Sequence, residues 1–113
     1  MDRGEIYLAN FPYGDLPKMK LRPVLLLTGL VGTIPEVLVA YISSVIPDPP
    51  LPSDLILDPT APEFASTKLK VVSALRLHKL ATLHSSSLER RLGVLDLEQR
   101  SIVDEKLKTL LEL

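Results

Sequence analysis

The chain has 113 residues, is 46% hydrophobic, contains no cysteine and carries a formal net charge of −1 at pH 7. This length predicts a single domain over residues 1–113 whose core needs no metal or disulfide, while the missing cysteine excludes thiol nucleophiles and thiolate zinc sites and fits a reducing cytoplasm. The near-zero charge gives no support for general coating of nucleic acid, and no apolar run approaches the roughly 20 residues of a membrane span.

In chain order, the first half of the sequence predicts strands separated by turns. Residues 4–11 roughly alternate apolar and polar side chains, as a half-buried strand does, and they begin so early that we expect no signal peptide. Residues 23–28 form a continuous apolar run, which is typical of a strand covered on both faces. A turn then leads to a second buried strand over residues 36–46, which carries the neighbouring hydroxyls of Ser43 and Ser44 near its end.

The second half predicts shorter strands and one helix. Residues 47–52 are rich in proline and cannot be a central strand, because proline donates no ladder hydrogen bond. Short strands are predicted over residues 55–57 and 69–77, and Gly93 marks a turn or the end of a strand.

The C-terminal segment predicts an amphipathic helix over residues 96–111. Apolar residues recur there at helical spacing opposite a charged face, and Gln99 lies in the capping-box position relative to Asp96. Five or six short strands and one terminal helix predict an α+β fold that is mainly β: a small, strongly bent antiparallel sheet or partial barrel with a helix packed on it.

The connection between the first two strands is longer than a simple hairpin requires. Residues 11–23 contain three prolines and a glycine, and they end in three cations at alternate positions, Lys18, Lys20 and Arg22. A long, stiffened, basic loop on a β scaffold is a suitable place to hold a phosphate. Pro23 restricts the backbone of Arg22 to extended conformations, so this arginine has the most constrained position of the three.

Four sequence blocks that span nearly the whole chain occur in an informative order. They are Arg3-Gly4-Glu5-Ile6-Tyr7 with Phe11-Pro12-Tyr13-Gly14-Asp15-Leu16 and the run 21–27, the strand 37–44, the stretch 73–83, and Arg91-Leu92-Gly93 followed by the acidic helix. In this order they resemble the MazF/PemK toxins, the ribonuclease toxins of type II toxin–antitoxin systems.

The resemblance implies an SH3-like small antiparallel β-barrel of the MazF/CcdB type with a C-terminal helix, assembled as a homodimer. It implies a cytoplasmic, sequence-selective endoribonuclease that cuts single-stranded RNA without metal or other cofactor and so inhibits growth. Attack by the 2′-hydroxyl would leave a 2′,3′-cyclic phosphate and a 5′-hydroxyl. A cognate antitoxin would block the site, and any DNA binding would belong to the toxin–antitoxin complex.

Two residues are implied to be catalytic. The family's key arginine, in its Arg-Pro motif, falls on Arg22, whose planar fork suits two charge-assisted hydrogen bonds to a phosphate but whose pKa above about 12 makes it a poor base. The family's key threonine falls on Ser43, which is a departure. Serine keeps the hydroxyl but loses the methyl group that makes threonine stiff at χ1, and Ser44 is a second hydroxyl that could share the role.

Other side chains have more than one possible role. The RNA-binding candidates are Lys18, Lys20, Tyr13, Ser44 and Arg76. The lysines would hold flanking phosphates or only keep the loop soluble, and Tyr13 would stack on a base or anchor the loop. Arg76 would hold substrate, brace Arg22 or form a structural ion pair.

The remaining basic residues are interpreted as having no role in the site. Lys68, Lys70, Arg90 and Arg91 are interpreted as solvated charges. His78 and His84 are interpreted as structural or exposed histidines, because nothing in the sequence places them opposite each other as a catalytic pair.

Two alternatives remain open from the sequence. The chain could be a CcdB-like toxin that binds DNA gyrase and cuts no RNA, although the intact Arg22-Pro23 motif favours the nuclease. It could also be a decayed family member that keeps only dimer and antitoxin binding, which the serine at position 43 and the near-neutral charge leave open.

Overall fold

A computed structural model of the chain describes residues 1–11 and 20–113. Within these residues there are six strands, one α-helix and two short 3₁₀-helices, at Pro62–Thr67 and Ser85–Ser87. The strands and the α-helix are β1 (Glu5–Phe11), β2 (Lys20–Leu26), β3 (Glu36–Ser43), β4 (Asp54–Leu57), β5 (Ser73–His84), β6 (Leu88–Val94) and α1 (Leu97–Leu111).

The six strands form one antiparallel sheet in the order β4-β5-β3-β2-β1-β6. This arrangement and the C-terminal helix confirm the predicted α+β fold. The sheet is open, because β4 and β6 form its two edges and do not pair with each other. The barrel implied by the resemblance is therefore a partial one in the described part of the chain.

The central strand β2 is covered on both faces, as its unbroken apolar run predicts. Leu25 belongs to a core cluster that also contains Val103 of α1, so this cluster lies between the sheet and the helix. Val24 and Leu26 belong to a second cluster on the other face of the sheet, with Phe11 and Tyr41. The rings of Phe11 and Tyr41 stack with centroids 5.2 Å apart.

The predicted boundaries of β2 and β3 are wrong, and the observed ones place Arg22 and Ser43 inside strands. The strand β2 begins at Lys20, so Arg22 lies inside the strand, opposite Ala9 of β1. The strand β3 ends at Ser43 and does not continue to residue 46. The cause is local: the hydroxyl of Ser43 accepts a hydrogen bond from the backbone N–H of Val45, which turns the chain away from the sheet.

The fifth strand also differs from the prediction. It begins at Ser73 and extends to His84, where residues 69–77 were expected to form a shorter strand. Residues before Ser73 leave the sheet because Lys68 ends the 3₁₀-helix in the left-handed conformation, with φ 57°. The sixth strand, β6, was given no range from the sequence, where only a turn or the end of a strand was expected at Gly93.

The C-terminal helix confirms the predicted segment and its cap. Asp96 accepts a hydrogen bond from the backbone N–H of Gln99 at 2.9 Å, and α1 begins at the next residue, Leu97. Val103 is buried and Leu107 packs against the core, but Leu110 is exposed, so the buried stripe is narrower than the predicted apolar face. No helix in the described residues is long and apolar enough to cross a membrane.

The edge strand β6 is attached to β1 by an ion pair. Arg91 donates from Nε to the carboxylate of Glu5, which also accepts a hydrogen bond from the backbone N–H of Asp2. Burial raises the pKa of Glu5, but these hydrogen bonds and the nearby positive charges outweigh it and leave the pKa below its ordinary value. Arg91 is therefore a structural cation of the sheet edge.

A glycine brings the first 3₁₀-helix down onto β6. A Cβ atom at Gly93 would lie 2.4 Å from the carbonyl oxygens of both Ser66 and Thr67, which no other residue could accommodate without moving the backbone. The hydroxyl of Ser66 donates to the carbonyl of Val94 at 2.8 Å. These contacts hold the residues that follow, Lys68 among them, beside the sheet.

Candidate functional site

A cavity of about 510 Å³ is lined by residues of β1, β2, β3 and β6 and by the segment between the first 3₁₀-helix and β5. Its polar and charged lining residues are Arg22, Tyr41, Ser43, Ser44, Lys68, Lys70, Ser73 and Arg90. Among the described residues, none that lines this cavity is an aspartate or a glutamate. A protein with a net charge of −1 thus concentrates four cations around one cavity, which favours an anionic ligand there.

Arg22 and Ser43 reach the same cavity from neighbouring strands. The pairing of β2 with β3 ends at Val24, opposite Tyr41, and Arg22 and Ser43 each lie two residues beyond that pair. Both residues line the cavity. A guanidinium and a hydroxyl at one cavity are groups that can bind the same phosphate.

The guanidinium of Arg22 has unused hydrogen-bonding capacity. Its Nε atom is buried and has no hydrogen-bond partner among the described residues. Arg22 also forms no ion pair within the described ranges. A buried donor without an acceptor costs about 1–3 kcal/mol, so this arginine is held where an anionic oxygen would stabilise it.

The hydroxyl of Ser43 already accepts one hydrogen bond within the protein. The residue is 8% exposed, and its Oγ accepts the hydrogen bond from Val45 N–H at 3.1 Å. A hydroxyl has one donor proton and two acceptor lone pairs, so this contact leaves the proton free to be donated. The local backbone contact and a phosphate contact are therefore compatible at Ser43.

The other predicted site residues are divided between the cavity and the rest of the sheet. Ser44 is exposed and lines the cavity. Arg76 does not line it: its Nε lies 2.6 Å from a carboxylate oxygen of Asp54, whose side chain has no exposed surface. Tyr13 and Lys18 lie outside the described residues. The backbone of Lys20 begins β2, and its side chain is likewise outside the described part.

The histidines lie away from the cavity. Neither His78 nor His84 is among its lining residues, and the ring of His84 is engaged by the hydroxyl and the backbone N–H of Ser86. Among residues 1–11 and 20–113, no three histidine, aspartate or glutamate side chains form a group that could hold a metal ion.

Three cavity cations were interpreted as solvated charges in the sequence. Lys68 and Lys70 flank Leu69, which packs against the core cluster under the helix, while both lysines are exposed and line the cavity. This alternation was a readable signal for two cations on one side of the chain. Arg90 could not be separated from Arg91 without β6, where Arg91 pairs with Glu5 and Arg90 lines the cavity.

A second groove, of about 640 Å³, lies between α1 and the loop around Pro52. Its lining is mostly apolar and includes Leu51, Ile102 and Leu110, and the amine of Lys106 at its side donates to the carbonyl of Pro52. It is larger than the cavity at Arg22 but collects no group of unpaired cations or predicted site residues. Size alone therefore does not identify the candidate site.

Comparison with known proteins shows which family the chain belongs to and which solved structures share its fold. The model of the family "PemK-like, MazF-like toxin of type II toxin-antitoxin system" matches residues 2–111. No curated protein sequence matches the chain.

Solved structures share the fold at low sequence identity. The Mycobacterium tuberculosis toxin MazF-mt6 is 24% identical with a TM-score of 0.75, over 96% of this chain and 97% of that one. An endoribonuclease in complex with its cognate antitoxin, from a mycobacterial species, is 18% identical with a TM-score of 0.69, over 100% of this chain and 96% of that one. A further mycobacterial endoribonuclease is 16% identical with a TM-score of 0.72, over 100% and 92%.

Proposed function

Because this chain belongs to the PemK-like and MazF-like toxins of type II toxin–antitoxin systems, we propose that it is an endoribonuclease that cuts single-stranded RNA. The observation that carries the proposal is that Arg22 and Ser43 line one cavity, and that none of the described residues lining it is a carboxylate. Two solved structures of the same fold are described as endoribonucleases, which supports the same chemistry here.

RNA carries its own nucleophile, the 2′-hydroxyl, so the protein has only to align it and to stabilise charge. The reaction forms a bond between the 2′-oxygen and phosphorus and breaks the bond from phosphorus to the 5′-oxygen. One proton leaves the 2′-hydroxyl and one is delivered to the departing 5′-oxygen. The products are a 2′,3′-cyclic phosphate and a 5′-hydroxyl, and no step requires a metal ion.

Arg22 and Ser43 act on the nonbridging phosphate oxygens. Arg22 remains protonated because its pKa lies above about 12, so its role is to neutralise the charge that grows on these oxygens in the transition state. Ser43 donates its free proton to one of them and fixes the orientation of the phosphate. Neither residue is assigned as the base.

The test is cleavage of a single-stranded RNA pool in the presence of EDTA. We expect fragments whose 5′-hydroxyl ends accept a phosphate from polynucleotide kinase without prior phosphatase treatment. Fragments with 5′-phosphates, or activity that EDTA abolishes, would contradict the proposed chemistry. Inhibition of DNA gyrase with no RNA cleavage would support the CcdB-like alternative instead.

A separate prediction concerns Ser43. Replacing it with alanine removes one hydrogen bond to a charged group, worth about 1.5–3 kcal/mol, so kcat/KM should fall roughly 10- to 100-fold. Replacing it with threonine keeps the hydroxyl and stiffens χ1, so activity should be retained or increased. Equal activity of S43A and the unchanged protein in a single-turnover assay would remove Ser43 from the mechanism.

We also propose that a cognate antitoxin blocks the same cavity. Four cations, with no carboxylate beside them in the described lining, would attract an acidic segment, which could fold as it binds. A structure of the same fold was solved with its cognate antitoxin, which supports a partner of this kind. A homodimer is proposed as well, supported by exposed apolar residues along the end of the chain such as Leu97 and Leu111.

A further inference from the structure

Lys68, Lys70 and Arg90 surround the cavity beside Arg22 and Ser43. We propose that these three cations form a second phosphate-binding site, which holds the RNA backbone next to the bond that is cut. This inference rests on the proposed ribonuclease function and adds to it the residues that bind the flanking strand. The three residues are called the flanking cluster below.

The flanking cluster consists of cations that the fold leaves unpaired. None of its members forms an ion pair within the described part of the chain. Four other cations that lie outside the cavity do pair with carboxylates: Arg3, Arg76, Arg91 and Lys108. These four charges are neutralised, whereas the three cations of the flanking cluster have no carboxylate partner in the described residues and are available to a phosphate.

The backbone that carries the two lysines of the cluster is fixed by its neighbours. Thr67, directly before them, is fully buried and its hydroxyl donates to the carbonyl of Phe64 at 2.7 Å. Leu69, between them, packs against the core. The bare Cα of Gly93 admits the backbone of Thr67 onto β6. Because this backbone is already ordered, ligand binding has only the exposed lysine side chains left to order.

The backbone of Lys68 is itself unusual. It has φ 57° and ψ 23°, in the left-handed region that disfavours a residue with a Cβ atom. Glycine would fill this position without strain, yet the chain has a lysine there. Strained residues of this kind concentrate at functional sites, and here the strain places a cation at the cavity.

Apolar residues on the rim favour a single nucleic-acid strand as the ligand. Val45 and Val71 line the same cavity and are 76% and 55% exposed. A single strand can present phosphates to the cations and an unstacked base to the valines, whereas a duplex keeps its bases stacked inside. The combination of unpaired cations with exposed apolar side chains fits this ligand.

The experiment measures how salt affects binding of a fluorescent 2′-O-methyl RNA pool, which cannot be cleaved because its 2′-oxygens are blocked. For single strands, the logarithm of the affinity falls with the logarithm of salt concentration by about 0.7 per phosphate contact. We expect the variant K68Q/K70Q to lower this slope by about 1.4 and to weaken binding roughly 25-fold near 0.1 M salt. Adding R90Q should lower the slope by about 0.7 more.

The matched control is R3Q/K108Q. It removes the same number of positive charges from residues outside the cavity, and it should leave the slope unchanged. Because Lys68 is strained, K68G should fold with an equal or higher Tm while it weakens RNA binding, which separates binding from stability. In cleavage assays, K68Q/K70Q should raise KM with little change in kcat.

The outcomes separate the two proposals. If the unchanged protein cleaves RNA but K68Q/K70Q and the control have the same salt slope, the flanking cluster is overturned and the ribonuclease stands. If K68Q/K70Q weakens binding of poly-glutamate but not of the RNA pool, the cluster is a site for an acidic peptide and the inference is wrong. If the unchanged protein neither binds nor cleaves RNA, both proposals fail.

Discussion

Replacing Arg22 with alanine is expected to lower RNA cleavage by about 100- to 1000-fold while the chain still folds, as loss of one donor to a developing oxyanion does. Arg22 is a cavity cation that lies inside a central strand, with Pro23 directly after it and Ala9 opposite it in β1. Its loss removes two hydrogen bonds that strengthen as charge grows on the phosphate. The measurement is kcat/KM on a single-stranded RNA in EDTA.

The same substitution should not destabilise the protein. The Nε of Arg22 is buried without a hydrogen-bond partner in the described residues, so the folded state already bears a cost of about 1–3 kcal/mol at this atom. Alanine removes that cost together with some packing of the aliphatic stem. We therefore expect the Tm of R22A to equal or slightly exceed that of the unchanged protein.

Two variants complete this test. R22K keeps a positive charge but loses the planar fork, so it should recover only part of the activity. R3A removes an arginine whose partner, Asp104, lies outside the cavity, and its activity should be unchanged. Full cleavage by R22A would remove Arg22 from the mechanism, and a large fall in Tm would show that the arginine belongs to the fold.

Much of the fold could be predicted from the sequence, because the patterns that indicate its strands and its helix lie within short stretches of chain. The apolar run after Pro23 predicted a strand covered on both faces, and Asp96 with Gln99 predicted the start of α1. The strand β6 could not be predicted in this way. Its residues Glu89, Arg90 and Arg91 are consecutive, charged and exposed, so they break the alternation of apolar and polar residues that indicates a strand. β6 forms a strand because it pairs with β1, and its own sequence does not indicate that pairing.

The candidate site, too, could be predicted only where the signal is local or the resemblance supplies it. Arg22 and Ser43 lie on neighbouring strands and line one cavity, and the resemblance to known toxins pointed to both residues. The position of Lys68 and Lys70 depends on Gly93, which is more than 20 residues away in the chain and admits the 3₁₀-helix onto β6. The alternation of Lys68, Leu69 and Lys70 indicates that both lysines lie on one side of the chain, but no local pattern shows that this side faces the cavity, so they were interpreted as solvated charges.

Arg76 is expected to behave in the opposite way to Arg22. Its partner Asp54 has no exposed side-chain surface, lies 2.6 Å away and also accepts a hydrogen bond from the backbone N–H of Leu51. Removing one member of a buried ion pair leaves an uncompensated charge and costs about 3–5 kcal/mol. For a chain of this size, R76A should therefore lower the Tm by about 12–20 °C in thermal unfolding.

A double variant tells whether this arginine serves the fold or the RNA. D54N/R76A leaves no buried charge, keeps an acceptor for Leu51 N–H and should recover most of the lost stability, since the two residues interact directly. If Arg76 is structural, the double variant should also cleave RNA at nearly the normal rate below its Tm. If Arg76 binds RNA, stability will return without activity, because the missing phosphate contact is not replaced. In the structural case, Arg76 stabilises the sheet through Asp54, and Arg22 is the arginine that binds the substrate phosphate.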